Sequence, residues 1–173
     1  GADVVKFQTF RASKIASEST PLAEYQQNNY LIKNQLELLS SLEIPLDWYQ
    51  ELINYSKKLN IEFASTAFEI DGVDFLDDLG QSFFKIASGE LTNKPIIEHI
   101  AKKGKKIIIS TGMANVDEID KTLNLCYNHG VSKNDVTLLH CNTQYPSPYE
   151  DLNLNAIRTI RSTFGVDVGY SDH

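Results

Sequence analysis

Six short runs rich in β-branched and aromatic residues, each parted from the next by a stretch of helical periodicity, limit this chain to very few architectures. The runs are "DVVKFQ" (3–8), "IEFAST" (61–66), "FFKIAS" (83–88), "KIIIST" (106–111), "VTLLHC" (136–141) and "VDVGYS" (166–171). Between them lie the amphipathic segments "PLDWYQELINYSKKLN", "IDGVDFLDDLG", "NKPIIEHIAKKG", "NVDEIDKTLNLCYNHG" and "LNAIRTIRSTFG". Asn115 and Glu118 make a capping pair for the fourth, and four of the five run into a glycine suited to stopping a helix. Near-continuous apolar strands alternating with helices predict an α/β fold with a covered parallel sheet, either a barrel or a doubly wound sheet. A doubly wound nucleotide binder carries a glycine-rich turn after its first strand, and neither G-x-G-x-x-G nor a P-loop occurs here. From Thr9 to about Asn34 the chain reads as a long polar insertion, a length uncommon without a function.

With 42% hydrophobic and 23% charged residues, the 173-residue chain has the composition of one soluble domain. Its apolar runs are too short to span a bilayer, and no signal-peptide pattern is present, so a cytoplasmic location without membrane association is expected. A formal net charge of −7 argues against non-specific nucleic-acid binding, which needs a basic surface. Cys126 and Cys141 have a spacing that fits neither a zinc motif nor a redox pair and read as reduced packing residues. The chain opens on "GADVVKFQTF", already inside a strand pattern and without methionine; both ends look cut, and a fragment of a longer protein is expected.

Polar residues gather at the carboxyl ends of the runs. Lys6 and Gln8 share one face of the first, Lys85 lies inside the third, and hydroxyls follow at Ser65, Thr66, Ser88, Ser110, Thr111 and Ser171. A lysine in a helix-covered strand is costly to bury unless an anion meets it. Barrel active sites are assembled at that end of the strands. Two ammonium groups with several hydroxyls suit a compound bearing both phosphate and carboxylate. Glu90, in "ASGE", is a candidate acid, base or partner for substrate hydroxyls, although a lone glutamate is more simply a surface residue. His99 and His129 read as solvated or packing residues, and His140 as either a core histidine or a site residue. His173, beyond Ser171 and Asp172, is placed as a metal ligand would be, but one histidine makes no metal site.

Taken in order, "GADVVKFQTF", "EFASTAF", "FKIASGELTN", "IIISTGM", "LLHCNTQYPSPYEDLNLNAI" and "VGYSDH" resemble the N-acetylneuraminate (sialic acid) synthase family over nearly the whole chain. The resemblance implies a (β/α)8 TIM barrel, here an incomplete segment covering about strands 2 to 7. It implies a transferase that condenses phosphoenolpyruvate with an N-acetylmannosamine-type sugar to give a nine-carbon 2-keto sugar acid and phosphate. By the same likeness Lys6, Gln8, Thr66, Lys85, Ser88, Ser110 and Ser171 surround phosphoenolpyruvate, while Glu90 and Tyr145 face the sugar. His173 is implied as one of two histidine ligands to Mn2+ or Mg2+, the second lying outside this chain. Where the family often has asparagine two positions before the tyrosine, this chain has Thr143, with Asn142 beside it.

The resemblance further implies that residues 1–173 are part of one barrel domain. A first strand and a C-terminal antifreeze-like domain belong to the parent, a homodimer, and the segment alone is expected to be inactive. Two other readings remain. A related synthase using a phosphorylated sugar would need a further basic cluster, and none is visible. A non-catalytic barrel fragment is disfavoured by the presence of Lys6, Lys85, Glu90 and His173 together.

Overall fold

A computed structural model describes residues 1–22, 26 and 32–173. The chain is α/β, with parallel sheets, and divides into two compact units, 1–76 and 77–173. In the first, β1 (Val4–Thr9) runs parallel to β2 (Glu62–Ala67), with Lys6 opposite Ala64 and Gln8 opposite Thr66. Because side chains alternate, the pair has two faces of different character. On one, Phe7 stacks on Phe63 at 5.4 Å between centroids, and Tyr49 of α3 (Trp48–Lys58) meets Phe63 edge-on. There Thr9 Oγ1 lies 2.8 Å from the Tyr49 hydroxyl and 2.7 Å from Ser65 Oγ, so one buried hydroxyl cluster joins helix and strands. Lys6, Gln8 and Thr66 occupy the other face.

The expected polar insertion holds α1 (Ala12–Ile15), and its end, Asn34, caps α2 (Gln35–Ser40); residues 23–25 and 27–31 lie outside the described ones. Neither helix was expected. Asn34 Oδ1 accepts from the Glu37 N–H at 2.8 Å, the same Asn-x-x-Glu signal that marked the helix at Asn115. At four to six residues both are too short to show a full amphipathic period.

β3 (Phe83–Ile86), β4 (Lys106–Ser110), β5 (Val136–Cys141) and β6 (Asp167–Ser171) form a parallel sheet in chain order. Parallel neighbours need crossovers, which α5 (Lys94–Ala101), α6 (Val116–Asn128) and α7 (Ala156–Phe164) provide, after α4 (Ile70–Asp78) leads into β3. Asn115 and Glu118 close a full capping box on α6, with bonds of 3.0 and 2.9 Å. Gly165, at φ 61°, takes the left-handed conformation that ends α7. No helix among the described residues is long and apolar enough to cross a membrane.

The register divides this sheet as well. Phe84, Ile86, Ile107, Ile109, Val136, Leu138 and Val168 fall on one face and are all buried. The opposite face carries Lys85, Ile108, Ser110, Leu139, Gly169 and Ser171, most of them only half-buried. At Gly169 a Cβ would stand 2.9 Å from Leu139 Cδ2, so a larger residue would need the Leu139 side chain to shift.

Candidate functional site

Lys85, Ser110 and Ser171 stand on that more open face, from three different strands. Ser110 is 2% exposed, and its Oγ has no hydrogen-bond partner among the described residues. Its sequence neighbour Thr111 differs in kind: Thr111 Oγ1 donates to the Leu139 carbonyl at 3.1 Å, and its N–H bonds the same oxygen. The two hydroxyls that look equivalent in "IIISTG" therefore serve different ends. In the first unit the same division separates Ser65, tied to Thr9, from Thr66, whose buried Oγ1 is again unpartnered among the described residues. Lys6 itself is exposed, while Ala64 opposite it and Thr66 on the same face are buried, and partial desolvation lowers its pKa.

Ser88 begins a single 3-10 turn after β3, ending at Glu90. The turn after β4 presses against it: at Gly112, with φ 45°, a Cβ would lie 2.5 Å from Ser88 Cβ and 3.3 Å from Thr143 Cγ2. Glycine is thus demanded twice, by conformation and by space. Half-buried Glu90 accepts from Asn93 Nδ2 at 2.6 Å, which orients its carboxylate.

His173 is the most fully organised group of the second unit. Its Nδ1 lies 2.9 Å from the Asn142 carbonyl, which can only accept, so Nδ1 carries the proton. In the neutral ring Nε2 then presents a lone pair, and the Tyr145 hydroxyl donates to it at 3.0 Å while Ser171 Oγ stands at 3.3 Å. Tyr145 also stacks on the imidazole, centroids 4.0 Å apart, and the Ser147 N–H bonds the His173 carbonyl at 3.0 Å. A backbone-held Nδ1–H that leaves the Nε2 lone pair directed at side-chain hydroxyls is compatible with metal ligation through Nε2. Among the described residues no group of three or more His, Cys, Asp or Glu is placed to hold an ion.

His140, left open by sequence, is buried on the helix-covered face beside Tyr170, with Nε2 2.8 Å from the Leu152 carbonyl. His129 is a helix-end residue, its Nδ1 bonding the Leu125 carbonyl at 2.9 Å. Cys126 and Cys141 are both buried and free.

The NeuB family pattern matches residues 1–173. An N,N'-diacetyllegionaminic acid synthase of Campylobacter jejuni is 47% identical over the whole chain and a pseudaminic acid synthase of Helicobacter pylori 36%. The chain spans about half the length of these curated relatives, 52% and 51%. Among solved structures, the sialic acid synthetase of Leptospira borgpetersenii superposes with a TM-score of 0.86 at 28% identity, covering 99% of this chain and 55% of that one. From the strand-end groups, the family pattern and relatives that are sugar-acid synthases, the chain belongs to the NeuB family.

Proposed function

We propose that the full-length protein condenses phosphoenolpyruvate with an N-acetylated amino sugar, releasing phosphate and a nine-carbon 2-keto sugar acid. The observation that carries this reading is Ser110 Oγ, buried and unpartnered on the face shared with Lys85 and Ser171. Such an orphan costs about 1–3 kcal/mol. An anionic oxygen would satisfy it. Lys85, Ser88, Ser110 and Ser171, with Lys6, Gln8 and Thr66, are read as the groups that take phosphate and carboxylate, and Glu90 and Tyr145 as facing the sugar. The six parallel strands are read as strands 2 to 7 of a (β/α)8 barrel, whose first strand and antifreeze-like domain lie in the rest of a cytoplasmic homodimer.

Held at both anionic groups, phosphoenolpyruvate offers its methylene carbon to the open-chain sugar aldehyde. The carbon–carbon bond forms, the aldehyde oxygen gains a proton, and water adds to the oxocarbenium-like carbon. The resulting tetrahedral centre then loses phosphate by carbon–oxygen cleavage. Lys85 and the hydroxyls balance the charge on the phosphate throughout. His173 Nε2, with a histidine from beyond this chain, would hold Mn2+ or Mg2+, which supplies Lewis-acid polarisation of the aldehyde. The 47% identity to a diacetyllegionaminic acid synthase favours a diacetamido sugar over N-acetylmannosamine as acceptor.

Phosphate release by the full-length protein, with phosphoenolpyruvate and each acceptor in turn, tests this directly. Turnover with a diacetamido sugar, abolished by chelation and restored by Mn2+, is expected. No phosphate with any acceptor would overturn the reading, and full activity after exhaustive chelation would overturn its metal.

A further inference from the structure

We propose that His140 is a positioning residue, whose imidazole clamps the β5–α7 loop so that Tyr145 is held over His173. The loop leaves β5 at Cys141 and reaches α7 at Ala156. Its far end is stapled back by two side chains, His140 within β5 and Asn142 just beyond its end. His140 Nε2 lies 2.8 Å from the Leu152 carbonyl, an acceptor only, so the ring donates its Nε2 proton there. Asn142 Nδ2 donates to the adjacent Asp151 carbonyl at 3.1 Å. The backbone carbonyl of that same Asn142 receives the His173 Nδ1 proton. Between the staples Ser147 N–H bonds the His173 carbonyl and Tyr145 stacks on its ring.

The clamp is therefore built from a rigid element. His140 is 9% exposed, flanked by Tyr170 at 5.8 Å between centroids, and cannot turn away without opening the core. A buried imidazole that served only as filler would be better replaced by an apolar ring, because its donor must be satisfied. Here the donor is spent on a carbonyl that closes the loop. The phosphoenolpyruvate groups Lys85, Ser110 and Ser171 stand on strands, not on this loop. Releasing the loop should thus disturb acceptor binding and spare phosphoenolpyruvate.

This inference rests on the proposed function for its kinetic arm alone. In the full-length protein, His140→Leu removes the donor while filling the space, and His140→Gln keeps an amide N–H near the position of Nε2. Amide hydrogen exchange of residues 143–152 should quicken in His140→Leu and return toward the original rate in His140→Gln, with β4 and β6 unchanged. KM for the amino sugar should rise about tenfold in His140→Leu, with KM for phosphoenolpyruvate within about twofold and recovery in His140→Gln. Unchanged exchange in His140→Leu, equal loosening in both variants, or equal rises in both KM values would overturn the clamp. Absence of turnover in the unmodified protein would instead overturn the proposed function, and the exchange rates would then decide the clamp by themselves.

Discussion

Ser110 and Thr111 show how much a single step along a strand decides. Thr111 spends its hydroxyl on the Leu139 carbonyl, whereas Ser110 Oγ is buried with nothing to bond. Sequence grouped the two because both end an apolar run; only the register, Ser110 beside Leu139, assigns the face. Ser110→Ala should therefore stabilise the ligand-free full-length protein by about 1 kcal/mol in urea unfolding, since it removes an unsatisfied group. The same change should weaken phosphoenolpyruvate binding about tenfold by titration calorimetry. Cys126 makes a second residue-scale case, as burial pushes its thiol up from 9.0 to about 11. It is thus protonated at pH 8, and iodoacetamide followed by mass spectrometry should label it only after unfolding. The unfolded thiol ionises first, so the stability this group contributes is present below pH 9 and is lost as pH rises toward 11.

The connection from β4 to α6, residues 111–115, contains a site device and a purely structural one within four positions. Gly112 lets the turn lie against Ser88, and Asn115 caps α6 through Glu118. Gly112→Ala would force a Cβ to 2.5 Å from Ser88 Cβ at positive φ, costing about 1–3 kcal/mol. Its kcat/KM for phosphoenolpyruvate should fall at least about tenfold as Ser88 shifts. Asn115→Ala should cost about 1 kcal/mol in urea unfolding and leave kcat/KM unchanged. The cap was readable from sequence because its signal is local, two residues three apart. Gly112 was not, because the partner that excludes a side chain lies in another connection, 24 residues away in "ASGE". His140 was left undecided for the same reason, its acceptor being the backbone of Leu152.

Across the whole chain the six expected strands appear in order, each starting within a residue of its expected position, because long apolar runs leave few alternatives. The helices α1 and α2 escaped notice, being short and set in a polar stretch. Candidate site residues were readable as types at strand ends, and their division between structural and open faces was not. Ser65, Thr111 and His140 go to the structural side; Lys85, Ser110 and Ser171 stay on the open one. At −7 overall, the chain has no general attraction for anions, so any affinity for phosphoenolpyruvate must come from these few local donors. The most direct measurement is calorimetric titration of phosphoenolpyruvate into the full-length protein and its Lys85→Met variant, which keeps the side-chain bulk and removes the charge. Binding by the unmodified protein and a loss of about tenfold to a hundredfold in the variant are predicted, the worth of one charge-assisted bond. Equal affinity in the two proteins would contradict the account.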